Sequence, residues 1–357
     1  VSDMMLRDDD LAISTHGRAF WVMENLTPLR WEPETEKAAS APYLYKPVPV
    51  LRLNGQAAPT FVYRLPSDSM PVTFQFYDKA GKLLATVAST DTNPTPAAGG
   101  PGGGRGFGAA APARPSNRKG VNRYTWTMRH ADAITFRGMI LWGGRGTGPS
   151  MAPGTYSVKM TAGSAAPVQY TFDVKPDPRS AATEADLVEQ TRMALQVRDR
   201  MSDANKGVIE IRNLKTDVTD RTAKMTANAA FAPLAKKFAD SLSAVEDSVY
   251  QTKNQSGQDP LNFPIRLNNQ FSSLLSFVSS GERRPPKQAY DVLTVLNPKL
   301  DLQMARMERI IAADLPKINA MLKAAGLPEI TRNKIEKGGP GAAQPVFVPD
   351  ETTGFDR

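Results

Sequence analysis

Two patterns along the chain predict a multidomain β plus α protein: terminal strands of a larger sheet, an antiparallel β-sandwich, and a C-terminal helical bundle. Residues 1–175 carry short apolar runs, alternating in places and separated by turn signals, whereas from residue 183 apolar residues recur at steps of three, four and seven. With 357 residues, 41% hydrophobic and 22% charged, the chain allows two or three domains and has a globular composition.

In residues 1–30, Asp8-Asp9-Asp10 is a turn signal, Leu11, Ala12 and Ile13 make a short run, Thr15-His16-Gly17-Arg18 is a second turn, and Ala19-Phe20-Trp21-Val22-Met23 is an apolar strand. Two or three such strands are marginal alone in water, so they are expected to close a sheet supplied upstream. The chain starts at Val1 without an initiator Met, a basic n-region or an apolar h-region, and reads as a fragment or processed product. Residues 31–42 read as a linker.

Residues 43–175 predict the sandwich. Strands are expected at 61–65, 72–77, 83–87, 122–128, 134–142, 154–160 and 169–174, with Asp78-Lys79-Ala80-Gly81-Lys82 as a hairpin turn. Trp126, Trp142, Tyr124 and Phe136 fall in these runs and are expected in the sandwich core rather than on a sugar-stacking platform. Between 93 and 120 the composition collapses to Gly, Pro, Ala and Arg, which predicts a mobile strand connection. No Gly-Lys-Ser/Thr ending supports a phosphate cradle there, and one Phe107 with few Arg-Gly pairs gives little platform for nucleic acid.

After a stiff linker at 176–182, a helical region spans 183–326. Thr183 with Asp186 resembles a capping box. Leu187, Ala194, Val197, Met201, Ala204, Val208 and Ile211 mark a first long helix, and Phe231, Leu234, Phe238, Leu242, Val245 and Val249 a second. Leu267, Phe271, Leu274, Leu275 and Val278 mark a third. Leu293, Leu300, Met304, Met307, Ile311, Ile318 and Leu322 mark a fourth, with Pro298 expected to break or kink its opening and Pro316 to perturb its end. Four apolar stripes bury one another most simply in an up-down bundle. Residues 327–357 read as an extended tail.

Composition excludes much chemistry. With no Cys and only His16 and His130, the chain cannot build a zinc finger, a thiol nucleophile, an iron–sulfur site or a multi-His metal site. No cofactor is expected, and no run approaches the ~20 apolar residues of a membrane span. The net charge of +8 suits an anionic partner, but it is spread over a long chain, and nucleic-acid binding is not the expectation.

Asp10-Leu11-Ala12-Ile13-Ser14-Thr15-His16-Gly17-Arg18-Ala19-Phe20-Trp21-Val22 with Leu26-Thr27-Pro28-Leu29-Arg30, and the stretch from Tyr250 through Asp259-Pro260-Leu261-Asn262-Phe263-Pro264 to Asn269, resemble bacterial sortilin-like proteins with BNR-repeat β-propellers, often labelled glycosyl hydrolases. Pro153-Gly154-Thr155-Tyr156-Ser157-Val158-Lys159-Met160 resembles the late strand of bacterial Ig-like modules. The resemblance implies that residues 1–30 close a propeller blade, that an Ig/fibronectin-like sandwich and helical region follow, and that the location is periplasmic, outer-surface or extracellular. It implies a non-catalytic scaffold or interaction region, with a propeller of the same polypeptide, a second protein chain or another copy as partner. The alternative is an accessory region of a sialidase-like glycoside hydrolase whose catalytic residues lie in the propeller.

Candidate site residues follow from side-chain chemistry. His16 titrates near neutral pH and Arg18 is able to grip a carboxylate, but neither has catalytic partners in its turn. Asn254, Gln255, Gln258, Asp259 and Asn262 offer donors and acceptors to a partner or to their own loop. Glu246, Asp247 and Asp259 supply carboxylates near that loop, though glycosidase chemistry requires two facing across a cleft. Asp8, Asp9 and Asp10 are hard oxygen ligands of the kind calcium takes, without an EF-hand spacing, and read first as a charged turn.

Overall fold

A computed structural model describes residues 1–7, 10–23, 26–30, 40–90 and 114–332. Asp8, Asp9, residues 31–39 of the linker, residues 93–113 of the Gly/Pro-rich segment and residues 333–357 of the tail lie outside the described residues, and so do the expectations placed on them. The protein combines β-sheets with four long helices and divides into two compact units. Of the described residues, those up to 90 with 114–128 and 153–179 make up one, and 129–152 with 180–332 make up the other.

The first sheet is an antiparallel meander of β1 (Asp3–Arg7), β2 (Asp10–Ser14) and β3 (Phe20–Met23). Its register aligns Met4 with Ile13 and Trp21, and Leu6 with Leu11 and Met23. Side chains alternate across a strand, so these six share one face, which is wholly apolar. Met4 and Leu6 are each 62% exposed and Trp21 63%.

Two further sheets follow. β4 (Tyr43–Leu44), β6 (Thr60–Leu65) and β9 (Gly120–Thr125) form one, in the order β4-β6-β9. β5 (Val50–Arg52), β7 (Val72–Asp78), β8 (Leu83–Ala88), β10 (Gly154–Ala162) and β11 (Val168–Pro176) form the other, in the order β5-β11-β10-β7-β8, with β5 parallel to β11. Alternation drives their burial: in β7, Val72, Phe74 and Phe76 are buried while the residues between them are only partly so. Phe61 of β6 lies 5.3 Å, centroid to centroid, from both Phe76 and Phe172, and Trp126 stacks on Phe76 at 4.0 Å. Trp126 and Tyr124 thus belong to this aromatic core as expected. The end of the Gly/Pro-rich segment is anchored as well: Tyr63 donates its hydroxyl to the Ser116 carbonyl at 2.6 Å.

Two expectations fail here. Residues 134–142 form no strand, and they pack with the helices rather than the sheets. Phe136 and Trp142 are therefore not core residues of a sandwich. The physical reason is that the main-chain groups of this segment are satisfied by helix side chains, as described below.

The long helices are α1 (Glu184–Lys224), α2 (Phe231–Val249), α3 (Leu267–Val278) and α4 (Lys287–Ala324). Thr183 caps α1 in a true capping box: its side chain accepts from the Asp186 N–H, and the Asp186 carboxylate accepts from the Thr183 N–H. Apart from Leu187, which is buried outside it, the stripes read from the sequence form one continuous apolar cluster, with Leu234 and Met304 at its partly buried margin.

Pro298 and Pro316 both lie inside α4, and neither ends it. A proline within a helix costs about 3 kcal/mol. Leu293, Leu296 and Leu300 on the flanking turns are all buried, each worth ~1.5–3 kcal/mol, so packing outweighs the lost main-chain bond. Residues 327–332 carry no regular structure but are held: Asn319 exchanges two hydrogen bonds with the main chain of Ile330, and Arg332 pairs with Glu210 and Glu308.

Candidate functional site

The most elaborate polar arrangement in the helical unit surrounds residues 129–152. Between Met128 and Pro153 the chain enters the helical unit before returning to the β unit to form β10. The segment closes on itself through His130 N–H to Pro149 O at 3.0 Å and Ala133 N–H to Gly146 O at 2.7 Å. Gly148 N–H donates to Asp132 Oδ1 at 2.7 Å, and a Cβ at Gly148 would lie 1.9 Å from the His130 carbonyl oxygen, so only glycine fits that close approach.

Helix side chains then take the place of strand partners. Ile134 N–H donates to Ser202 Oγ at 3.1 Å, and Asn205 Nδ2 donates to the Ile134 carbonyl at 2.6 Å. Ile140 N–H donates to the Tyr250 hydroxyl at 3.1 Å. Trp142 N–H donates to Asn269 Oδ1 at 2.7 Å, and Asn269 Nδ2 returns a bond to the Trp142 carbonyl at 3.0 Å. Asn268 donates to Asn205 Oδ1 at 3.3 Å, linking two of these groups inside the unit. Ala133 is buried in the helical core, while Phe136, Met139 and Leu141 pack against it. A buried amide without a partner costs ~1–3 kcal/mol, so these bonds explain why Asn205, Asn268 and Asn269 interrupt apolar stripes.

A charged cluster supports the same segment. Glu246 is buried, accepting from Arg212 Nε at 2.7 Å and Lys215 Nζ at 3.1 Å. The Arg212 guanidinium lies 4.7 Å from the centroid of the Phe136 ring and 5.3 Å from that of Tyr250, and the two rings meet edge to face at 5.0 Å. Glu246 thus fixes the cation on which the Phe136 ring rests.

Of the loop residues singled out from sequence, Asp259 serves its own backbone. Asp259 Oδ2 accepts from the N–H groups of Gln255 and Ser256 at 2.6 and 2.9 Å, and Oδ1 accepts from Ser256 Oγ at 2.9 Å. The main-chain bond from Gln255 leads the causes that hold this carboxyl below its ordinary pKa. Asp259 opens a single 3-10 turn, Asp259–Leu261, and Gln251 Nε2 ties the loop by donating to the Pro264 carbonyl at 2.8 Å. Asn254 is partly buried, with its Oδ1 atom buried and unpartnered; Gln255, Gln258 and Asn262 are exposed.

His16 and Arg18 are exposed in the turn between β2 and β3, where the Arg18 carbonyl accepts from Trp21 Nε1 at 3.1 Å. That turn lies in the β unit, and the amide loop in the helical unit.

Each of the carboxylates singled out near that loop has partners of its own. Glu246 is held by two cations, Asp247 accepts the Thr252 hydroxyl at 2.6 Å, and Asp259 is spent on main-chain donors. Among the described residues no group of three or more His, Cys, Asp or Glu is placed to hold a metal ion, and no helix is long and apolar enough to cross a membrane. What the arrangement does chemically is hold irregular main chain through side-chain amides and hydroxyls. Sequence reasoning missed it, although polar residues on the buried faces of α1 and α3 were the available signal.

No family model matches the chain, and no curated protein matches it.

Proposed function

We propose that this chain is a non-catalytic scaffold or protein-interaction region of a secreted bacterial sortilin-like propeller protein, in which β1–β3 complete a blade. On this reading the two larger sheets form an Ig/fibronectin-like sandwich, the four helices form a bundle, and the protein works in the periplasm, at the outer surface or outside the cell. One observation carries the proposal: the β1–β3 meander presents Met4, Leu6, Leu11, Ile13, Trp21 and Met23 on one apolar face, with Met4, Leu6 and Trp21 more than 60% exposed. Covering roughly 300 Å² of such a face is worth about 7 kcal/mol at ~25 cal/mol per Å². A preceding sheet of the same polypeptide supplies that cover without the entropy cost of bimolecular association.

Hydroxyl-radical footprinting tests it, because Met and Trp oxidise in proportion to their exposure. Met4, Trp21 and Met23 are expected to oxidise readily in the isolated chain and to be protected in a longer polypeptide that carries the upstream propeller. Equal oxidation in both overturns the blade assignment. Turnover of sialosides or other glycosides by the isolated chain overturns the non-catalytic assignment.

A further inference from the structure

The helical unit carries an apolar groove of about 510 Å³ between α3 and α4. Its floor is Ile265, Leu274, Phe277, Val292 and Leu296, with uncharged polar side chains between them and Lys299 as the one charged lining residue. Phe277 is 45% exposed and Val292 44%, and Val295, 54% exposed, continues the apolar surface along α4. Val292, Val295, Lys299 and Leu302 follow steps of three and four, so they share one helix face.

Each end of the groove carries a cation. Residues 279–286 join α3 to α4, and at that end the Arg283 guanidinium lies 5.6 Å from the Phe277 ring centroid. Along α4 the lining runs from Gln288 to Lys299, a length of about 16 Å at ~1.5 Å per residue, or roughly three helical turns. Lys299 stands at the far end. No carboxylate lines the groove.

We propose that this groove docks an amphipathic helix of a partner protein, with an apolar face of about three turns and a carboxylate at each end. The length matches a helix laid in a groove, the floor takes its apolar anchors, and Arg283 and Lys299 set its register. A small polar ligand is disfavoured, because apolar side chains make up the floor. A second copy of this chain is disfavoured, because a two-fold contact would set Arg283 and Lys299 of one copy near those of the other. The inference is independent of the blade reading, since it draws on no residue of β1–β3.

The test is a titration of the full chain, by fluorescence anisotropy, with a labelled synthetic helix of ~15 residues carrying leucines at i, i+3, i+4 and i+7 and paired glutamates at both ends. Saturable binding is expected, weakened about tenfold or more when the end glutamates are replaced by lysines. The double variant R283E/K299E is expected to reverse that preference. Phe277→Asp and Val292→Asp, at exposed positions, are expected to abolish binding while the far-ultraviolet circular dichroism is unchanged. Equal affinity for the two peptides, or no binding at millimolar peptide, overturns the proposal. So does a dimer in sedimentation that Phe277→Asp dissolves, which would assign the groove to a second copy.

Discussion

Asn269 and Trp142 exchange two hydrogen bonds across a sequence separation of 127 residues, the side-chain amide of one pairing with both main-chain groups of the other. The geometry is that of a strand pair in which one strand has been reduced to a single amide. Asn269→Leu leaves both main-chain groups of Trp142 unpartnered and is expected to destabilise the helical unit by about 2–4 kcal/mol, at ~1–2 kcal/mol per bond lost. Asn269→Asp keeps the acceptor but sets a buried carboxylate against the Trp142 carbonyl oxygen, so its loss should be at least as large. Urea melts followed by circular dichroism at 222 nm give both values, and equal midpoints for Asn269→Leu and the parent would show that the pair holds nothing.

Glu246 is buried against two cations that are themselves about one-third exposed, Arg212 at 38% and Lys215 at 32%. Removing a partner from a fully buried pair costs ~3–5 kcal/mol, and solvent at the cations reduces that here to about 2 kcal/mol for Glu246→Ala. Arg212→Lys should also destabilise, since an ammonium does not reproduce the fixed guanidinium fork that bonds Glu246 while lying near the Phe136 and Tyr250 rings. A double-mutant cycle between Glu246→Gln and Phe136→Leu reports whether charge and ring are coupled through Arg212. A coupling energy of zero would separate them.

Gly144→Ala places a Cβ 2.2 Å from Ser272 Oγ, on a buried position of α3. Gly148→Ala places one 1.9 Å from a main-chain carbonyl, which moves less readily than a hydroxyl. Both are expected to destabilise by ~1–3 kcal/mol, with Gly148→Ala the more severe. Thermal melts rank them, and the opposite order would show that the close approach at 148 relaxes cheaply.

Two carboxylates predict acid sensitivity. The Arg192 guanidinium, with help from the Tyr290 hydroxyl, holds Glu189 down at about 2, and hydrogen bonds from Arg179 hold Asp177 down at about 2. Both folded values lie below the unfolded carboxylate range near ~4, so the ionised forms favour the folded state. Their contribution is present above about pH 4 and is lost as pH falls towards 2. Glu189→Gln in the helical unit and Asp177→Asn in the β unit are expected to flatten the fall of the urea midpoint across that window. An unchanged slope in either variant removes that group from the account.

The regular elements were legible because each obeys one period. Phe74 and Phe76 alternate on β7, Val197, Met201, Ala204 and Val208 step around one face of α1, and Thr183 with Asp186 marks where that helix begins. Residues 134–142 were misleading for the same reason: their apolar content suits a strand, but the partners of Ile134 and Trp142 are side chains on α1 and α3, and local pattern carries no information about them. Pro298 misled in the other direction, since the breaker is visible in sequence while the buried leucines that outweigh it act through tertiary contacts. Of the candidate site, the amide-rich loop was visible as composition, but the two residues at its end, Asn269, which holds Trp142, and Asn268, which bonds Asn205, are set apart from the exposed Gln255, Gln258 and Asn262 by burial.

The insertion of residues 129–152 ahead of β10 sets an order on biosynthesis. At ~5–20 residues per second, the 127 residues from Trp142 to Asn269 take roughly 6–25 s to translate, whereas a turn or helix folds in microseconds. The β unit has all its strands once Pro176 has emerged, while Ile134, Phe136 and Leu141 still wait for α1 and α3. During that interval an apolar stretch hangs from an already complete set of strands, a ready client for a chaperone that holds nascent chains.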